Sequence, residues 1–157
     1  MSDSDLKDLQ EKFLERILFP HIEKEEGFRP CAYKDHLGYW TIGFGTLIDE
    51  RKGGGITKEQ GWCLVRDHLR NIYTSLDQRV SWWRELNDVR KVVLVSMAYQ
   101  MGIHGLMGFK NTLRMIKEED YAGAADGMRN SLWARQTPVR AERMARAMET
   151  GSEEALR

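Results

Sequence analysis

Apolar residues recur along this chain with two periods, and the change of period divides it. Leu6, Leu9, Phe13, Ile17 and Ile22 return at helical spacing with charges between them, which predicts an amphipathic helix over 5–25. Pro20 falls inside that run and predicts a kink or a split into two segments. Gly27 directly follows Glu26 and predicts a left-handed helix end. From Cys31 to Ile48 the pattern turns strand-like. "CAYKD" and "YWTIGFGTLI" are rich in aromatic and β-branched residues, and "HLG" offers a turn between them. This predicts a β-hairpin that a third strand can extend. Trp40, Ile42 and Phe44 alternate with Tyr39, Thr41 and Gly43. Gly43 and Gly45 within a strand predict close backbone approach or a bulge.

"DERKGGG" at 49–55 reads as a polar, flexible connection, after which the helical period returns. Thr57 with Gln60 three residues on is a capping-box pattern. Trp62, Val65, Leu69, Ile72 and Leu76 carry an apolar stripe through the following helix. Val89, Val92, Val93, Met97 and Met101 form the next stripe, and "GIHGLMG" is expected to break the chain at its glycines. Shorter stripes follow at Phe109, Leu113 and Ile116, then at Tyr121, Ala125 and Met128. Thr137 before Pro138 predicts an N-cap with proline at the first helical position. Met144, Ala147 and Met148 face inward from that last helix, which Gly151 ends.

Strands followed by helices, without strand–helix alternation, predict an α+β fold. The expected organisation is one domain over 1–157, a size that a single core can support. Within it, 1–24 forms a helix or helices packed on a helical lobe. Residues 25–56 form a small β lobe, 57–79 a connecting helix, and 80–157 the helical lobe itself.

Composition narrows the function by exclusion. Lys plus Arg and Asp plus Glu number 24 each, so net charge selects no partner. Arg129, Arg135, Arg140, Arg143 and Arg146 gather late, with only Glu142 among them. That cluster suits an anionic polymer, or a solvated helix face. Two cysteines, Cys31 and Cys63, make neither a disulfide scaffold nor a zinc pattern. Reduced thiols are expected, with no metal and no cofactor. The polar start "MSDSDLKDLQEK" predicts no signal peptide, and no apolar run approaches membrane-spanning length. Synthesis in a cytoplasm, without membrane insertion, is the expectation.

The candidate chemistry lies in "EEGFRPCAYKDHLGYWTIGFGT", residues 25–46. Glycoside hydrolysis needs a proton donor for the leaving oxygen and a second carboxylate for water or for the sugar cation. Glu26, at a helix C-terminus where the dipole opposes a second negative charge, suits the acid. Asp35, near a turn and open to water, suits the ionised partner. Thr41 on the returning strand offers a hydroxyl for the attacking water. Two ordinary solvated carboxylates would look the same at this spacing.

The segment resembles the active-site signature of the phage T4-type lysozymes, a glycoside hydrolase family of muramidases. Glu26, eight residues, Asp35, five residues and Thr41 follow that pattern without a gap, within "EEG", "YKD" and "GYWTIGFG". "NDVRKVVLVSMAYQMGIHGLMGFKNTLRMI" (87–116) and "SLWARQTPVRAERM" (131–144) resemble the family's helical part. The likeness spans about residues 22–151. It implies a lysozyme-like α+β fold and cleavage of the β-1,4 bond between N-acetylmuramic acid and N-acetylglucosamine in bacterial peptidoglycan. It implies Glu26 as general acid, Asp35 as the group that activates water or stabilises charge, and Thr41 as the holder of that water. Arg140, in "QTPVR", matches an arginine that pairs with the catalytic glutamate. Leu47, Tyr99, Gln100, Thr112 and Gly127 fall at substrate-binding positions. At Gly127 the family's usual asparagine is missing. Trp133 matches a buried structural aromatic. The fifteen residues between Thr41 and Thr57 are few for the family, so a reduced small lobe is expected.

The implied biology is a monomeric phage endolysin that reaches the periplasmic wall through a holin-made membrane lesion, with no nucleic-acid partner. A virion-associated lysozyme is a further possibility under the same resemblance. Lytic transglycosylase-like cleavage and a catalytically silent wall-binding module are the rival readings. A helical nucleic-acid binder would use the late arginines but would leave the hairpin acids unexplained.

Overall fold

A computed structural model describes residues 13–52 and 54–157. Leu6 and Leu9 of the first expected stripe lie outside the described residues. Residues up to Trp62 form one compact unit and Cys63–Arg157 a second.

The first unit opens with the helix that the apolar period predicts. Its start, Leu14–Leu18, is a wide π turn, in which Phe19 N–H reaches back five residues to Leu14 O. Phe19–Glu26 (α1) then continues as α-helix with Pro20 in its first turn. Pro20 has no N–H, so the ladder cannot run regularly through it. The split therefore takes the form of a widened turn rather than a break. Phe13 and Ile17 stay more than half exposed, and no residue of this helix is buried.

Three antiparallel strands follow in the order β1 (Arg29–Lys34), β2 (Trp40–Gly43) and β3 (Thr46–Leu47). β1 pairs Arg29 with Gly43 and Tyr33 with Thr41, so four steps on β1 face two on β2. The irregularity holds Pro30, on an edge strand that can spare its N–H. The third strand is two residues long, and β2 turns into it through Gly43, Phe44 and Gly45. Both glycines have positive φ, +67° and +70°, and form a tight turn between strands where close backbone approach or a bulge within one strand was expected. Of the alternating side chains on β2, Thr41 is the buried one and Ile42 is exposed.

Lys58–Arg79 (α2) begins in the first unit and runs on into the second. Its capping box is complete. Thr57 N–H donates to Gln60 Oε1 at 2.9 Å, and Gln60 N–H to Thr57 Oγ1 at 3.2 Å. Of its stripe, Ile72 and Leu76 are buried, Val65 and Leu69 are half-buried, and Trp62 is exposed.

The second unit continues with a 3-10 turn at Ser81–Glu85, then Asp88–Met107 (α3), Lys110–Lys117 (α4), Tyr121–Arg129 (α5), Leu132–Gln136 (α6) and Pro138–Thr150 (α7). Leu76, Val93, Leu94, Met97, Leu106, Ile116, Met128 and Met148 form the fully buried centre. Each such side chain is worth about 1.5–3 kcal/mol of burial. Ala124 and Ala125 on α5 and Ala141 and Ala145 on α7 are also sealed from water, and their small size lets those two helices lie close. Val92, expected to face inward, is half exposed, while its neighbours Val93 and Leu94 take the core positions. The break expected at "GIHGLMG" is narrower than its glycines suggest. Only Gly102 leaves helical geometry (φ 75°, ψ 162°), and the helix resumes through Gly105 to Met107. Thr137 precedes Pro138, but its hydroxyl donates backward to Trp133 O at 3.1 Å and caps nothing ahead of it. Gly151 ends α7 in the left-handed conformation, as expected.

Candidate active site

Glu26 is the last residue of α1. The helix stops there because Gly27 adopts φ 67° with an extended ψ of 161°, a conformation that costs a side-chain-bearing residue dearly. This is not the left-handed cap expected of it, yet it ends the helix at the same place. The Glu26 carboxylate lies against the β2–β3 turn. A β-carbon added at Gly45 would sit 2.5 Å from Glu26 Oε2. The missing side chain at 45 is therefore what admits the carboxylate.

Asp35 closes β1 and organises the hairpin turn. Its Oδ1 accepts from Tyr39 N–H at 2.8 Å and Leu37 N–H at 2.9 Å, an Asx turn made by one oxygen. Its own N–H donates to Tyr39 O at 2.9 Å. The Tyr39 amide holds the Asp35 carboxyl below the ordinary carboxylate value. Partial burial opposes it, and the Leu37 amide and His36 add to the lowering. Asp35 is thus ionised at neutral pH.

Thr41 sits on the central strand, 5% exposed, with Tyr33 and Leu47 as its cross-strand partners. Its hydroxyl makes a long bond to Tyr39 O, 3.4 Å. Asp35 stands opposite Tyr39, and Thr41 is two residues further along, so Asp35 and Thr41 are diagonal neighbours. Strand geometry puts such α-carbons roughly 7–8 Å apart. Leu47 is partly exposed on β3 and lines a cavity with the following loop.

In the second unit, Tyr99 and Gln100 end the regular part of α3, just before Gly102. Both are braced. The His68 ring stacks on Tyr99 with centroids 4.6 Å apart. Trp133 Nε1 donates to Gln100 Oε1 at 2.9 Å, and the Trp133 ring meets Phe109 edge-on. Thr112 and Gly127 are brought together from α4 and α5. A β-carbon at Gly127 would lie 2.7 Å from Thr112 Oγ1. Arg140 donates to Ser96 Oγ at 2.9 Å and to Ser96 O at 3.3 Å. Arg129, from the basic cluster, is held by Asp126, Glu142 and Glu149 together, so acids remote in sequence join that cluster. His68 and Ser96 carry no signal in the sequence pattern. Their roles arise from contacts that spacing does not encode. No group of three potential metal ligands occurs among the described residues.

The family model for phage lysozyme matches residues 23–148, which takes in every site residue described above except Arg129's partner Glu149. The chain belongs to the phage lysozyme family. Among similar proteins, probable T4-type lysozyme 1 of Dictyostelium discoideum is 29% identical over 83% of this chain and 92% of its own length. Peptidoglycan hydrolase gp36 of Pseudomonas phage phiKMV is 35% identical over 78% of this chain and 14% of its own. The pre-baseplate central spike protein Gp5 of Enterobacteria phage T4 is 28% identical over 85% of this chain and 28% of its own. Membership carries the coarse activity with it: this lysozyme-family chain is a peptidoglycan hydrolase. No single helix among its described residues is long and apolar enough to cross a membrane.

Proposed function

We propose that the chain is an N-acetylmuramidase that cleaves the β-1,4 bond between N-acetylmuramic acid and N-acetylglucosamine. Glu26 donates its proton to the glycosidic oxygen as the bond from the anomeric carbon to that oxygen breaks. Water held by Thr41 attacks the anomeric carbon from the opposite face. Asp35, ionised, takes the proton that the water releases, and the configuration at the sugar inverts. Leu47, Tyr99, Gln100, Thr112 and Gly127 serve glycan binding, and Arg140 is a positioning cation of the same reaction. Acid–base chemistry from these side chains suffices, so no cofactor enters the scheme.

The observation that carries this reading is the division of labour in the first unit. Asp35 is held ionised by backbone amides, while Glu26 is presented at a helix end against a glycine that makes room for it. The test is clearing of purified peptidoglycan with analysis of the new sugar ends. Reducing N-acetylmuramic acid is expected, and Glu26→Gln should abolish clearing with an unchanged melting temperature. Full clearing by that variant sinks the mechanism, and an anhydro product replaces hydrolysis by transglycosylation.

We place the activity in phage lysis, with a monomeric endolysin made in the host cytoplasm and admitted to the periplasmic wall by a holin. A second setting has its own support. The match to Gp5 covers about a quarter of that spike protein, which favours a lysozyme unit carried on a virion. Detection of the chain in purified particles decides between the two.

A further inference from the structure

The connection after β3, expected to be flexible, is fastened at its described residues. The Asp49 side chain, 10% exposed, accepts from Arg51 N–H at 2.8 Å, Arg51 Nε at 3.0 Å, Arg51 Nη2 at 2.7 Å and Gly55 N–H at 3.1 Å. Gly54 N–H donates to Arg51 O at 3.0 Å, so the chain doubles back around that carboxylate. The Arg51 guanidinium and amide hold the Asp49 carboxyl well below the ordinary carboxylate range. Ile48 N–H donates to Trp40 O at 2.8 Å, which ties the near end of the connection to β2. Lys52, next to Arg51 in this loop, places Nζ 5.6 Å from the centroid of the Tyr39 ring. That is within the reach of a cation–π contact, about 6 Å.

Two of the reacting groups hang on the backbone of Tyr39. Its N–H donates to Asp35 Oδ1 at 2.8 Å. Its carbonyl accepts from Asp35 N–H at 2.9 Å and from Thr41 Oγ1 at 3.4 Å. We propose that Lys52 is a positioning residue: seated on the Tyr39 ring by the Asp49 buckle, it fixes the Tyr39 backbone and so sets the Asp35 carboxylate and the Thr41 hydroxyl relative to each other. The proposal rests on the roles given above to Asp35 and Thr41, and adds the part of the chain that holds them.

The hairpin turn needs such support. His36 and Leu37 at its tip are exposed, so packing does not fix it, and its shape rests on the hydrogen bonds around Tyr39. The half-buried Tyr39 ring gives the loop a handle on that backbone. Asp49 is engaged by Arg51 and Gly55, so its charge does not draw Lys52 off the ring. Two groups that share one water must keep their spacing, and a small displacement of reacting groups costs a large factor in rate. Lys52 thus acts on the chemistry through Tyr39, without touching substrate.

The experiment measures turnover of soluble wall fragments and titrates the Asp35 carboxyl by carbon NMR. Lys52→Met keeps the stem and removes the cation. Its kcat should fall about fivefold with KM unchanged, and Lys52→Arg should restore it. Asp49→Ala should lower kcat by about tenfold, and adding Lys52→Met should cost nothing more, since Lys52 is already unseated. In Asp49→Ala the Asp35 midpoint should rise towards 3.8. Loss of the Asp49 charge alone would move it down, so a rise reports the loosened Tyr39 N–H. Unchanged kcat in Lys52→Met, a change confined to KM, additive losses in the double variant, or an Asp35 midpoint that stays or falls overturns the proposal. Should Asp49→Ala fail to fold, the Lys52→Met and Lys52→Arg pair decides by itself. A loss in Asp35→Asn beside an unchanged Lys52→Met removes Lys52 alone. No cleavage by the parent protein removes the muramidase reading, and the Asp35 titration then still reads the contact.

Discussion

The space that a side chain at Gly45 would fill is occupied by the Glu26 carboxylate, 2.5 Å from where the β-carbon would stand. Gly45 also has φ +70°, so it carries two separate requirements. Gly43, two residues earlier in the same turn, has φ +67° and nothing within 4 Å of its would-be β-carbon. The pair separates strain from contact. Gly43→Ala and Gly45→Ala should each lose about 1–3 kcal/mol of stability from backbone strain. Only Gly45→Ala should also lose wall clearing, by about tenfold or more, because Glu26 must move. Denaturation midpoints and clearing rates, measured side by side, check this. Equal clearing by both variants would remove the role given to the contact.

Asp35 does two jobs that Asp35→Asn can divide. An amide oxygen can still accept from Leu37 and Tyr39, so the turn should persist while the charge is lost. Clearing should drop by about a hundredfold or more, as for removal of a general base. The stability comparison has a defined sign. The folded-state value is depressed, so the charged carboxylate stabilises the fold above the ordinary value of 3.8. That contribution fades as pH falls from there through the folded-state value. Parent and variant should therefore differ most in melting temperature near neutrality and converge in acid. A constant gap across pH would refute the electrostatic part.

Much of this was legible before any coordinates, and the limits were physical. Helical stripes and the Thr57–Gln60 box depend on near neighbours in sequence, so pattern alone located them. The same logic placed Glu26, Asp35 and Thr41 on a helix end, a turn and a strand. It failed at Gly102, where one glycine bends a helix that its neighbours continue, since propensity does not say which glycine yields. It also failed at Thr137, whose hydroxyl prefers a carbonyl behind it. Contacts such as His68 on Tyr99 join elements far apart in the chain and leave no periodic trace.

Thr112 and Gly127 form a matched pair. Alanine at a helix-interior glycine normally gains about 0.5–1 kcal/mol. At Gly127 the new β-carbon would meet Thr112 Oγ1 at 2.7 Å, which should cancel that gain. With Thr112→Ala present, the gain should return. A double-mutant cycle on Gly127→Ala and Thr112→Ala is expected to show coupling of about 1 kcal/mol. Additive effects would show that the two positions do not sense each other. Gly127→Asn, which restores the family's usual residue, should likewise be accepted better beside alanine at 112.

Trp133 holds Gln100 through its indole N–H. Trp133→Phe keeps an aromatic ring, though a smaller one, but strands Gln100 Oε1 in a partly buried place. A loss of about 1–2 kcal/mol is expected, from the hydrogen bond and the changed fit. If Gln100 touches glycan, the variant should also raise KM on soluble wall fragments with little change in kcat. His68→Ala should have the same kinetic signature through Tyr99, with His68→Phe restoring it. Unchanged KM in both would detach these two side chains from substrate.

The wide turn at Leu14–Leu18 has a bearing on the helix that carries Glu26. Phe13 and Ile17 are four residues apart, but Ile22 comes five after Ile17, a step that a regular helix would swing well away from their side. The turn with five-residue bonding lies just before that step, at Leu14–Leu18, and does not absorb it. It acts as a spacer, equivalent to one extra residue tucked into the helix. Shortening the chain by one residue at Glu15 or Arg16 should leave an ordinary α-helix in place of the wide turn. Glu26 would still be delivered to Gly45, because everything from Pro20 onward keeps its register.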